Sequence, residues 1–304
     1  MKFLKSFALL FFCFSGLSLN AQQVIPLYNG QIPGNLSCGV TERVPVKGEV
    51  AGVTVPTLTV FVAEKTDPLK GAVLIIPGGG YDHLAMTHEG FDVAKAYNAK
   101  GITAFVLKYR LPSESQCFAD KKLVPLMDAQ QAMVIIRSRA KEWNIDPQNV
   151  GVNGFSAGGH LAATLLTRYN MNLTADKNAN LKPNWGVLGY PVISMADSLG
   201  KSGTKKNLIG MEASATEKEY FSAERHVDAA TPFCFIFQAQ DDRTVSVQHS
   251  LLFYQALLKN KVPSELHIFP KGGHGFGLHN KSTSESWFEQ MIQWLLSNQC
   301  ITKS

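Results

Sequence analysis

Residues 150–161, VGVNGFSAGGHL, carry the tightest constraint in the chain. A β-prone run meets a serine held between glycines, and small residues then open a helical pattern. Gly154-Phe155-Ser156-Ala157-Gly158 forms a G-x-S-x-G elbow, in which the chain turns sharply from strand to helix and exposes Ser156 Oγ. A side chain at 154 or 158 would collide with neighbouring backbone, so glycine is needed at both. The competing reading is a Gly-rich phosphate loop. It lacks support, because the lysine and the G-x-G-x-x-G spacing are missing.

Strand-like and helix-like runs alternate around that elbow. Strands are expected at 57–62, in GAVLIIPGGGY after the turn at Asp67-Pro68, and at 102–109, 149–155, 184–190, 232–240 and 265–270. The AVLII run has no polar alternation, as befits a strand covered on both faces. Helices are expected at 87–99, 125–143, 157–169, 246–260 and 284–297. Ala129, Ala132, Met133, Ile136 and Ala140 recur at helical spacing, as do Trp287, Met291, Trp294 and Leu295; both faces are expected in the core. The alternation predicts an α/β fold with a mostly parallel central sheet covered by helices on both faces, with functional residues at the carboxyl ends of the strands. The chain's 304 residues, 45% of them hydrophobic, suit one such domain. The weakly patterned stretches 172–184 and 194–230 are expected to form cap or rim structure, with GKSGTKKN in the second as a solvated loop.

The N-terminus reads MKFLKSFALLFFCFSGLSLNAQQ. Lys2 and Lys5, the apolar run from Phe7 to Phe14 and a cleavage site before Gln22 predict an export signal over 1–21, too short to span a bilayer comfortably. The mature protein is then exported, to the periplasm or beyond the cell, with no integral membrane segment. Residues 22–56, punctuated by Pro and Gly, are expected to pack on the domain as a leader, and 57–304 to form the catalytic domain. Loss of Lys2 and Lys5 takes the 29 basic residues to 27 against 24 acidic ones, a balance that supports no nucleic-acid partner. Four cysteines remain, Cys38, Cys117, Cys234 and Cys300, without metal-ligand spacing. Cys234 lies in an apolar run and reads as a buried free thiol. One disulfide is compatible with export, Cys117 pairing with Cys38 or with Cys300.

A serine hydroxyl needs a base. His274 follows a predicted strand in PKGGHGFGLH, where glycines let a loop carry the imidazole over Ser156. His160, one helical turn beyond the serine, reads as a local hydrogen-bonding residue; His267 alternates within a strand, and His279 is a surface-loop alternative. The base in turn needs an acceptor that fixes its tautomer. Asp241 or Asp242, after the strand ending near Gln238, meets that need, and the order Ser, Asp, His is the one expected of a parallel α/β sheet. In IPGGGY, residues 76–81, successive glycines leave N–H groups free to face a developing oxyanion. Gly79 or Gly80 is expected to supply one donor and Ala157 another.

On these residues the chain resembles the α/β-hydrolase superfamily, in particular esterases with an HGGG-type oxyanion loop, and more closely the secreted bacterial acetylxylan and related carbohydrate esterases. The resemblance runs from about Leu58 to Leu296 through PGGGYDHLAMTHEG, GITAFVLKYRLP, DAQQAMVIIRSRAKEWNIDP, GFSAGGHLAA, DDRTVSVQHSLLFYQAL and ELHIFPKGGHGFGL. It implies a single α/β-hydrolase domain with Ser156 as nucleophile, His274 as base and Asp242 as orienter. Asp242 is preferred to Asp241 because the family places this aspartate three residues before a valine, here Val245; Ser246 replaces the proline that usually follows. Pro77 stands where many relatives have histidine, so that side chain offers no hydrogen bond to orient the loop. Tyr81, Asp82 and His83 are expected near an acyl or sugar pocket. Arg110 looks structural, through a carboxylate such as Asp128.

The resemblance and the export signal imply a serine esterase acting on short-chain acyl, foremost acetyl, esters of plant polysaccharides or oligosaccharides, with no metal or organic cofactor. The alternatives are a feruloyl or general carboxylesterase, a small serine peptidase, and a non-catalytic binding protein on a hydrolase scaffold.

Overall fold

The structure, a computed structural model, describes residues 22–63, 71–199 and 203–301. The predicted export signal and the turn at Asp67-Pro68 lie outside them. In chain order the strands are β1 (Gln23–Pro26), β2 (Val50–Ala51), β3 (Thr57–Phe61), β4 (Ala72–Ile76), β5 (His83–Leu84), β6 (Thr103–Lys108), β7 (Val150–Phe155), β8 (Gly186–Gly189), β9 (Cys234–Ala239) and β10 (Ser264–Phe269). The helices are α1 (Asp92–Ala99), α2 (Val124–Ser138), α3 (Ser156–Arg168), α4 (Gly203–Leu208), α5 (Ala215–Tyr220), α6 (Gln248–Lys259) and α7 (Trp287–Ser297).

Eight strands form one sheet in the order β1-β3-β6-β4-β7-β8-β9-β10. The six from β6 to β10 along that order run parallel, whereas β3 is antiparallel to β6 and β1 to β3. Every residue of β4, β7, β8 and β9 is buried, which explains why these strands are apolar but for Asn153 and Gln238: helices cover both faces of the sheet. The predicted core faces of α2 and α7 are buried, as is the free thiol of Cys234. Strand order reverses at β4, because the chain crosses from β4 to β6 on one side and returns to place β7 on the other. Such a reversal opens a crevice beyond the carboxyl ends of the adjoining strands. Ile76, the last residue of β4, pairs with Gly154 of β7, so the glycine loop and the elbow leave the sheet side by side.

Several features differ from the sequence expectation. Gln23–Pro26 is a sheet strand, invisible by pattern because three of its four residues are exposed on an edge. The helix expected at 87–99 opens as a π-helical turn, Met86–Phe91, before α1 continues it. Part of GKSGTKKN is helix α4, with Lys205 buried against the carboxylate of Asp197 and not solvated.

The 28–38 segment is tied to the domain by Arg110. Its guanidinium is fully buried, donates to Asp128 Oδ1 at 2.7 Å, and reaches Pro33 O at 2.7 Å and Asn35 Oδ1 at 2.8 Å. Arg110 thus has the structural part expected of it, with Asp128 as its partner. Of the two cysteine pairings, the structure contains Cys38–Cys117, which joins the same segment to the loop before α2; Cys300 is a buried free thiol.

Candidate active site

Ser156 sits where β7 becomes α3, with a φ of +52°, a left-handed conformation that non-glycine residues seldom adopt. The neighbouring glycines make that turn possible. A Cβ on Gly154 would lie 2.3 Å from Gly158 O, and one on Gly158 2.2 Å from Ile76 O.

The structure brings Ser156, His274 and Asp242 together. Ser156 Oγ lies 2.9 Å from His274 Nε2, and His274 Nδ1 lies 2.7 Å from Asp242 Oδ2. A carboxylate only accepts, so Nδ1 carries the proton and Nε2 is left to accept from the serine hydroxyl. Asp242 Oδ1 accepts the N–H groups of Thr244 and Val245, both at 2.9 Å. Burial pushes the Asp242 carboxyl up, but the hydrogen bonds from His274, Val245 and Thr244 and the electrostatic pull of the adjoining His274 ring outweigh it and hold the group below the usual carboxylate range. Asp241 faces elsewhere: its Oδ1 accepts the N–H of Gly273 at 2.8 Å.

The glycine loop is held by its carbonyls. Pro77 O accepts Tyr109 Oη–H at 3.0 Å, Gly78 O accepts Ala85 N–H, Gly79 O accepts the N–H groups of Asp82 and His83, and Gly80 O accepts Asn207 Nδ2–H. In a trans peptide the N–H points opposite the carbonyl before it, so anchoring the oxygens of Gly78 and Gly79 turns the N–H groups of Gly79 and Gly80 the other way. Neither N–H has a hydrogen-bond partner among the described residues. Ala157 lies in the first turn of α3, whose N–H groups have no intrahelical acceptor. The missing histidine at 77 is thus offset by other donors.

Ser156, His274, Gly79 and Gly80 line a cavity of about 440 Å³. Asp82 and His83 line it too, at a polar lip completed by Glu49 and His88. Tyr81 does not, and this corrects the expectation. Its φ of +61° turns the ring into the protein, where it is 1% exposed. The Tyr81 hydroxyl lies 2.9 Å from His160 Nδ1, while His160 Nε2 lies 2.8 Å from Phe221 O. Since a carbonyl only accepts, His160 carries its proton on Nε2 and Tyr81 donates to Nδ1. Burial lowers the His160 pKa to about 4, so it serves as the local hydrogen-bonding residue expected. A larger cavity, about 560 Å³, runs along β1 and α2 and contains neither Ser156 nor His274.

Glu89, Tyr190 and Asn207 shape the site without a sequence signal of their own. Glu89 occupies the start of a predicted helix, where an acid is ordinary, and Asn207 lies in a lysine-rich run that resembles surface loop. Nothing in the sequence marks either as part of a site. No group of three or more His, Cys, Asp or Glu among the described residues is arranged to hold a metal ion, and no described helix is long and apolar enough to cross a membrane.

A mostly parallel sheet with helices on both faces and a serine elbow after β7 defines an α/β-hydrolase. Residues 58–257 match the BD-FAE family model. The chain belongs to that family, and within the α/β-hydrolase superfamily it is related to bacterial acetylxylan and carbohydrate esterases. It is 34% identical to the acetylxylan esterase of Xylanibacter ruminicola over 76% of this chain and 46% of that protein. It is 33% identical to the endo-1,4-beta-xylanase B of Butyrivibrio fibrisolvens over 77% of this chain and 36% of that protein. The chain therefore spans less than half the length of either. The crystal structure of an acetyl ester-xyloside bifunctional hydrolase from Caldicellulosiruptor lactoaceticus superposes with a TM-score of 0.78 at 35% identity, covering 92% of this chain and 97% of that one.

Proposed function

We propose that this protein is an exported serine esterase that removes short-chain acyl groups, foremost acetyl, from plant polysaccharides or oligosaccharides such as acetylxylan. The observation that carries the hydrolytic part is the 2.9 Å contact between Ser156 Oγ and His274 Nε2 in a cavity shared with Gly79 and Gly80. The names of the Xylanibacter and Caldicellulosiruptor relatives support the acetyl-sugar part, and the polar lip of Glu49, Asp82, His83 and His88 suits a hydroxyl-rich alcohol. The leader-like residues 1–21 support export.

In this reading Ser156 Oγ attacks the ester carbonyl as its proton passes to His274 Nε2. The N–H groups of Gly79 or Gly80 and Ala157 take the oxyanion charge, each donor worth roughly 3 kcal/mol in the transition state. The tetrahedral intermediate collapses, the bond to the alcohol oxygen breaks, and protonated His274 gives that oxygen its proton. Water, deprotonated by His274, then attacks the acyl-enzyme and releases the carboxylic acid and free Ser156. Asp242 holds the tautomer and supports the imidazolium.

The test is acetate release from acetylated xylo-oligosaccharides by residues 22–304, with Ser156→Ala as blank and a small aryl acetate in parallel. Acetate release that disappears in the variant is expected. Turnover of the aryl acetate alone would move the assignment to a feruloyl or general carboxylesterase, and cleavage of a peptide anilide, assayed beside them, without ester turnover would move it to a peptidase. Inactivity on every substrate would favour a binding protein.

A further inference from the structure

Glu89 is a buried carboxylate that the mechanism above leaves without a part. It is 3% exposed and lines the cavity that holds Ser156 and His274. No Lys or Arg among the described residues pairs with it, and the imidazole of His88 stands 3.8 Å away. Taking a carboxylate out of water is costly unless its oxygens find donors. Here both do. Oε2 accepts the N–H of Gly78 at 2.8 Å, and Oε1 accepts the hydroxyl of Tyr190 at 2.8 Å.

Those two donors belong to different parts of the site. Gly78 opens the glycine loop after β4 and is wedged between Glu89 and the nucleophile: a Cβ there would lie 2.7 Å from Glu89 Oε2 and 2.8 Å from Ser156 Cβ. Tyr190 follows β8. Its hydroxyl accepts the N–H of Gly277 at 2.9 Å, and its ring packs edge-on against His274 with centroids 4.9 Å apart. The carbonyl of Gly277 in turn accepts Trp287 Nε1–H at 2.9 Å. One hydrogen-bond chain, Gly78 to Glu89 to Tyr190 to Gly277, therefore joins the loop with the free N–H groups to the loop that carries His274.

We propose that Glu89 is a positioning residue that fixes the oxyanion loop and the His274 loop relative to each other. The proposal rests on the serine-esterase reading. The chemistry at position 89 is specific: two donors converge on it, so it must accept twice. A carboxylate does so, whereas a glutamine amide accepts on its oxygen and presents a donor on the other side. The π-helical turn Met86–Phe91 is the local device that brings Glu89 inward beneath the loop, and such turns recur at functional sites.

The experiment compares wild type with Glu89→Gln and Tyr190→Phe on a small aryl acetate. Phosphonate labelling of Ser156, taken to completion, counts the folded sites, and inhibition by a trifluoromethyl ketone that adds to Ser156 reports oxyanion binding. Expected in both variants are full labelling stoichiometry, a KM close to wild type, and a kcat lower by roughly 10- to 100-fold, since misplacing reacting groups by about 1 Å has such an effect. The ketone should lose affinity by the same factor as kcat/KM. Wild-type kcat and ketone affinity in Glu89→Gln would overturn the proposal. So would a loss confined to the number of labelled sites, which would mark Glu89 as needed only for folding. A wild-type protein that never labels at Ser156 would instead overturn the serine reading and the proposal with it.

Discussion

His274 Nδ1 faces Asp242 Oδ2 at 2.7 Å, while the adjacent Asp241 gives its carboxylate to the N–H of Gly273. Two consecutive acids thus hold the same loop from different places, one at the imidazole and one at the backbone beside it. Asp242→Asn presents an amide that can donate to Nδ1 and so favours the wrong tautomer; kcat is expected to fall by roughly ten-thousandfold with the fold intact. Asp241→Asn keeps an oxygen for Gly273 and is expected to stay near wild type. Steady-state rates of the two purified variants check this, and equal losses would contradict the assignment.

The buried pair of Arg110 and Asp128 locks the 28–38 segment to the domain. Asp128→Asn leaves a guanidinium without its counter-charge and is expected to cost about 3–5 kcal/mol. At roughly 2–4 °C per kcal/mol for a chain of this size, calorimetry should show a clearly lower melting temperature. The rate per folded molecule should change little, because neither residue lines the cavity.

Acid sensitivity follows from two buried imidazoles. Burial, and for His249 also the nearness of His160, lowers both pKa values from 6.5 to about 4. Between those values the unfolded chain binds protons that the folded protein refuses. The stability these groups contribute is therefore present above pH about 6.5 and lost as pH falls towards about 4, on the order of 3 kcal/mol per histidine across the window. Urea melts of wild type and His160→Gln at several pH values check this: the variant should lose stability less steeply over that range. Parallel slopes would count against it.

The central strands and the elbow were legible because their physics is local. AVLII must be covered on both faces, and a serine at φ +52° between glycines whose Cβ atoms would strike backbone leaves few alternatives. What escaped was non-local or masked by ordinary chemistry. The edge strand Gln23–Pro26 buries one residue in four, too little for a pattern. Lys205 reads as solvated until Asp197 is seen to neutralise it in the fold. Helix α5 does carry a local signal, since Ser214 and Glu217 form a capping box that S-x-x-E announces. The partners of Glu89 lie 11 and 101 residues away, beyond the reach of any motif.

Whether Ser156 is a nucleophile activated by His274 is read by phosphonate labelling of folded wild type, Ser156→Ala and His274→Ala, followed by peptide mass spectrometry. One adduct on the Ser156 peptide is expected in wild type, none in Ser156→Ala, and much slower labelling in His274→Ala because the hydroxyl has lost its base. An adduct elsewhere, or an unchanged rate without His274, would contradict this assignment.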